Sequence, residues 1–287
     1  MSVTPAYFRK HIFLPQDHGS WVFIYCPLLV GLFAGRRFTF ASLSLVIACM
    51  AAFLIRQPVL SAVKAYSGRR AKSDLPAASF WIVVYGIIIL SALIGLIRAG
   101  FGYLLYLAIP GAPVFARHLW LVSRREERGQ AGVEILATGV LSLAAPAAYW
   151  VGIGGYDPAG WWLWILVWLQ TAASIVYAYL RLEQREQADG QGRSELSTRF
   201  AKQIVLRLWK MGLRAFAYTT FNLVSSLTLG LASVLPRFLF ISYLVQWIET
   251  LWGIFHPALR WKPTRIGIRQ LIVSTLWTIL FIVTWRL

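Results

Sequence analysis

Apolar residues run through this chain in long, nearly unbroken stretches, and short clusters of Arg and Lys separate them. A helix crosses a bilayer with roughly 20 mainly apolar residues. The pattern therefore predicts an all-α, polytopic membrane helix bundle of about nine transmembrane helices. Their expected limits are 20–35, 38–55, 80–97, 100–122, 132–152, 160–181, 213–235, 237–255 and 267–286. A bundle of about seven spans competes, because only Arg36 and Arg37 part the first two runs and only Arg98 to Gly100 the third and fourth. Residues 1–287 form one membrane domain in either case, with 1–19 as a polar N-terminal segment.

The cations sort by loop. Arg36, Arg37, Arg98, Arg237 and Arg286 fall on one side of the bundle of nine, and nearly all the rest of the 28 Lys and Arg fall on the other. Cytoplasmic loops retain Lys and Arg. The N-terminus is thus expected inside and the C-terminus outside, in a bacterial inner (plasma) membrane. The loop over 182–212 is expected to be cytoplasmic, mobile from Ala188 to Ser197, and then to form an interfacial helix. There Phe200, Ile204, Val205, Leu208, Trp209 and Met211 fall on one half of a helical wheel, and Arg199, Lys202, Arg207, Lys210 and Arg214 on the other. Such a helix lies in the membrane surface.

Composition removes the soluble and disordered classes, since 58% of residues are hydrophobic and only 14% charged. The net charge of +17 points to anionic lipid as a partner. Nucleic acid is not expected, because the cations sit where membrane topology places them. Trp164, Trp168, Trp247 and Trp277 fall inside the runs, either as packing or as the wall of a lipid site.

Polar residues near the membrane interior are expensive and mark candidate sites. They are Asp17 and His18, Arg117 and His118, Glu134, Arg214 and Asn222, Gln246 and Glu249, and His256. Nearly all fall toward the cytoplasmic ends, which points to a polar chamber opening inward, lined by Glu134, Asn222, Gln246 and His256. Glu249 lies three residues from Gln246 on one helical face and is placed to pair with an Arg or His of another helix. Asp17, His18, His118 and Glu249 are the candidates for proton work. His18 beside a carboxylate would be held in one tautomer and titrate near neutrality; alternatively, Asp17 simply caps the first span. Arg56, Lys64, Arg69 and Arg70 in one loop, with Lys202, Arg207, Lys210 and Arg214 in another, are candidates to clamp an anionic head group, Arg by bidentate bonds. No zinc spacing, Walker loop, nucleophile elbow or dinucleotide fingerprint is present.

The run Leu14-Pro15-Gln16-Asp17-His18-Gly19-Ser20-Trp21, followed by a span with Pro27 and Gly31, resembles the opening signature of the YwiC-like family of bacterial membrane proteins. Arg56-Gln57-Pro58 and Lys262-Pro263-Thr264-Arg265-Ile266-Gly267 are similar to other positions of that family. The resemblance implies an integral membrane protein and little chemistry. The topology also resembles the UbiA superfamily of intramembrane prenyltransferases, which hold an isoprenyl diphosphate through Mg²⁺ on paired Asp motifs in two cytoplasmic loops. Here the first of those loops holds Asp74 as its acidic residue, and the second offers Glu183, Glu186, Asp189 and Glu195 without paired Asp spacing. No UbiA catalytic residue carries over, Mg²⁺ is in doubt, and cofactors stay unassigned. Three classes remain: a UbiA-like transferase or lipid-handling enzyme acting on an anionic isoprenoid or lipid, a membrane scaffold or assembly factor, and an anion or lipid transporter.

Overall fold

A computed structural model describes residues 6–15, 18–126, 129–190, 198–258 and 261–287, with side chains throughout except at 6, 18, 187–190 and 198–209. Among the described residues every regular element is a helix. Six stretches of the described residues are long and apolar enough to cross a membrane: Phe40–Tyr66, Lys72–Arg98, Gly102–Arg124, Ala131–Ile153, Ala159–Glu186 and Pro263–Arg286. The other expected runs are helical too, but two are short. Helix α2 (Val22–Gly35), which follows the helical turn α1 (Lys10–Phe13), has 14 residues, and α10 (Phe240–Phe255) has 16. At a rise of 1.5 Å per residue they measure about 21 and about 24 Å, less than a typical hydrocarbon core of ~30 Å.

Five boundaries differ from the sequence expectation. Helix α3 (Phe40–Tyr66) runs on through Pro58, so Arg56 and Lys64 lie on a helix and only Arg69 and Arg70 follow it. Pro58 removes one intrahelical bond, while Ser61 and Ala65 continue the buried stripe beyond it. After α4 (Leu75–Arg98), the expected fourth span is a 3₁₀ stretch, Gly102–Ala108, followed by α5 (Gly111–Arg124) across Pro110. The expected fifth span breaks at Leu143 into α6 (Ala131–Ser142) and α7 (Ala144–Ile153). Pro146 there cannot donate to Ser142. Helix α8 (Ala159–Gly190) continues through the first part of the expected loop, and α9 (Thr198–Leu231) joins the expected interfacial segment and the seventh run in one helix. Residues 191–197 of that loop lie outside the described residues.

The chain divides within α8 into two compact units, Met1–Ile165 and Leu166–Leu287. In the first, α3 packs along α4 and α2 along α7. The second contact is backbone-close: a Cβ on Gly31 would run into the Ala145 carbonyl, and Gly35 faces Gly152. Small residues of this kind let membrane helices approach. The N-terminal segment is strapped onto α3 and α4, with Trp81 Nε1 donating to the Tyr7 carbonyl (2.7 Å), Tyr85 Oη to Phe13 (3.1 Å) and Gln57 Nε2 to His11 (2.8 Å).

The second unit holds the last part of α8 with α9, α10 and α11 (Pro263–Arg286). Its interior is polar. Gln170, Thr171, Ser174, Arg181, Gln184, Thr219, Asn222, Ser226, Gln246, Glu249 and Thr250 are all buried. On α8 the series Gln170, Ser174, Tyr177, Arg181, Gln184 advances by alternate fours and threes, which places it on one helical face.

Candidate functional site: a guanidinium and indole cluster in the second unit

Glu249 of α10 is 8% exposed. Arg269 of α11 grips it bidentately, Nε to Oε1 at 2.6 Å and Nη2 to Oε2 at 2.8 Å, and Tyr177 Oη of α8 donates to Oε1 at 2.7 Å. The carboxylate thus accepts three charge-assisted bonds, the arrangement that offsets burial of a charge. A guanidinium fork meets both oxygens at once, which a Lys ammonium cannot do.

One turn along α8 from Tyr177 sits Arg181, 1% exposed. Its Nη1 donates to the carbonyls of Gly253 (2.9 Å) and His256 (2.7 Å) and to Gln184 Oε1 (3.0 Å). The two carbonyls belong to the C-terminal end of α10, where a helix leaves acceptors without partners and favours a cation. Gln184 reinforces the joint by donating to Gly253 (3.2 Å) and accepting from the Ala258 amide (3.0 Å). Gly253 is required there, because a Cβ would meet the Tyr177 ring.

Aromatic faces complete the cluster. The Arg181 guanidinium lies 4.8 Å from the Trp261 ring centre, 5.5 Å from Trp252 and 5.9 Å from Tyr177. Arg269 lies 3.8 Å over Trp252, and Arg265 4.3 Å over Trp261. His256 stacks on Trp252 at 4.8 Å. Each such contact is worth about 0.5–2 kcal/mol and offsets part of the cost of burying a cation. One atom is left over: Arg181 Nη2 is buried and has no hydrogen-bond partner among the described residues. With Arg181 and Arg269 against Glu249, the cluster is net positive.

Away from this charged end the polarity continues as neutral amides. Gln270 Nε2 donates to Gln246 Oε1 (3.0 Å) and to Ser174 Oγ, and Gln170 Nε2 reaches Gln246 Oε1 at 3.4 Å. Asn222 Nδ2 donates to the Leu169 carbonyl at 2.8 Å. The buried Gln170 Oε1, Asn222 Oδ1 and Trp277 Nε1 have no hydrogen-bond partners among the described residues.

The sequence candidates scatter around this cluster. Gln246, Glu249 and Asn222 lie in the polar interior of the second unit, and the backbone carbonyl of His256 joins the cluster while its side chain is exposed. Arg214 and Lys210 are exposed on α9. Lys202 and Arg207 have side chains outside the described residues, as does His18, and Asp17 lies outside them altogether. In the first unit His118 is half-buried on α5 and Glu134 is exposed on α6. Arg56, Lys64, Arg69 and Arg70 do not share a loop. Arg56 lies over Phe53 (5.3 Å), Arg69 donates to the Val122 carbonyl (2.6 Å), and Arg70 donates to Ser61 Oγ (3.0 Å). Those two are engaged by the protein itself. Among the deep indoles, Trp164 donates to Gly139 (2.9 Å), Trp247 to Thr220 (3.0 Å), and Trp277 packs between Tyr243 and Phe281. Sequence reading missed Arg181 and Arg269 as interior residues. The four-and-three spacing on α8 was the signal for Arg181. Among the described residues no three His, Cys, Asp or Glu come together to hold a metal.

The model of one protein family, described as YwiC-like protein, matches residues 14–149. That stretch includes the Leu14–Trp21 and Arg56–Pro58 runs and stops short of Lys262–Gly267. It lies inside the first unit, so the guanidinium cluster is outside it. No curated protein and no solved structure matches the chain.

Proposed function

For a membrane-helical chain whose residues 14–149 match the model of the YwiC-like family, we propose the handling of an anionic lipid or isoprenoid from the cytoplasmic face. The chain would form about nine spans in a bacterial inner membrane, N-terminus inside and C-terminus outside. The observation that carries this reading is the grading of the second unit's interior. Charged groups (Arg181, Glu249, Arg269) gather at the end formed by the C-terminal end of α10 and the start of α11, and amides (Gln170, Gln246, Asn222, Gln270) lie further in. In the proposed orientation the charged end faces the cytoplasm, where a head group would enter with its tails toward the apolar membrane. An enzymatic extension, UbiA-like transfer to or from that lipid, rests on topology alone and assigns no catalytic residue.

The test is the lipid that accompanies the protein. Chain purified in mild detergent is expected to carry anionic phospholipid or isoprenoid phosphate enriched over the bulk membrane, read by mass spectrometry. A co-purified pool with the bulk composition would overturn the reading.

A further inference from the structure

We propose that Arg181 anchors a binding site for a phosphate-type oxyanion inside the second unit. A guanidinium taken out of water needs its donors engaged and its charge balanced. Arg181 meets the first requirement in part: Nη1 caps the Gly253 and His256 carbonyls, while the buried Nη2 has no hydrogen-bond partner among the described residues. It meets the second only in part, because the carboxylate that acts on it, Glu249, is already gripped by Arg269 and bonded by Tyr177, so two guanidiniums face a single negative charge. A cap for the end of α10 would be complete with fewer donors and no fixed charge. What the geometry leaves over, a directed N–H and about one unit of positive charge in a low-dielectric interior, is what an oxyanion supplies.

The surroundings favour phosphate over a singly charged carboxylate. Trp261, whose ring faces Arg181, also lines a groove of about 380 Å³ together with Lys262, Thr264, Arg265 and Ile268. Two further cations and a hydroxyl thus line the groove beside the same indole, and a phosphate has the oxygens to engage several donors at once. The source of the phosphate, a lipid head group or the free ion, is the one element that rests on the lipid-handling reading above.

The full chain in nanodiscs of neutral lipid is titrated with three probes: short-chain phosphatidic acid, short-chain diacylglycerol with the same tails, and inorganic pyrophosphate. Phosphatidic acid is expected to bind saturably and diacylglycerol not. Arg181→Gln is expected to weaken phosphatidic acid by about tenfold or more, while Arg98→Gln, a cation lost from the first unit, leaves it unchanged. Should Arg181→Gln fail to fold by gel filtration and melting, Arg181→Lys keeps a cation for the α10 carbonyls but loses the second donor nitrogen, and is expected to melt like the wild type while binding more weakly. Equal binding by wild type and a folded Arg181 variant overturns the site, and leaves the lipid reading standing if phosphatidic acid still binds. Arg181-dependent binding of pyrophosphate without any binding of phosphatidic acid upholds the site and overturns the lipid source.

Discussion

Neutralising Glu249 is the sharpest perturbation of the cluster. Glu249→Gln keeps the shape and one acceptor oxygen, but leaves Arg181 and Arg269 in the interior with no anion. Breaking a buried ion pair from one side costs about 3–5 kcal/mol. The Arg269 side chain is 34% exposed, so water recovers part of that, and about 2–3 kcal/mol is expected. Tyr177→Phe, which removes one of the three bonds, is expected to cost about 1–1.5 kcal/mol. Arg269→Gln should cost as much as Glu249→Gln, and the double variant much less than the sum, with a coupling of about 2 kcal/mol. Equilibrium unfolding in mixed micelles of increasing SDS fraction, followed by the fluorescence of the 14 Trp, reads all four. A loss below about 0.5 kcal/mol for Glu249→Gln, or additivity within about 0.5 kcal/mol, would show that the pair does not hold α10 to α11.

Other consequences are independent of that cycle. In binding, Glu249→Gln should act with the opposite sign, tightening phosphatidic acid severalfold because it makes the site more positive; unchanged or weaker affinity in the titration would separate Glu249 from the site. Gly31→Ala is expected to destabilise the first unit by about 1–3 kcal/mol, since its Cβ would meet the Ala145 carbonyl, whereas Gly86→Ala, with nothing within 4 Å, should be stabilising by up to about 1 kcal/mol. Melting curves of the two variants check the opposite signs. Trp81→Phe removes the donor to the Tyr7 carbonyl but keeps the stack on Phe13 (ring centres 4.8 Å apart). Tryptic cleavage after Arg9 and Lys10 should then accelerate severalfold, consistent with a loss of about 1 kcal/mol.

What was legible in the sequence depended on length and period. Long apolar runs fixed the helical class, and the His18-Gly19-Ser20-Trp21 run carried the family resemblance that the match over 14–149 bears out. Glu249 stood out because a carboxylate in an apolar run is rare, and it does pair with an Arg of another helix. Arg181 and Arg269 did not stand out, because a cation at the end of an apolar run reads as topology, and charge alone does not reveal which way it points. Only tertiary packing, the C-terminal carbonyls of α10 meeting α8, turns Arg181 inward. The helix boundaries erred for a local reason: Pro58 is tolerated inside α3, while Pro146 breaks the helix at Leu143. The same residue type therefore gives no rule without its neighbours.

Density for the protein in nanodiscs containing phosphatidic acid would test the central claim most directly. A phosphate head group is expected within hydrogen-bonding distance of Arg181 Nη2, with its tails leaving toward the bilayer, and is expected to be lost in Arg181→Gln. Head-group density confined to the outer surface of the bundle, with Arg181 contacting protein alone, would contradict it.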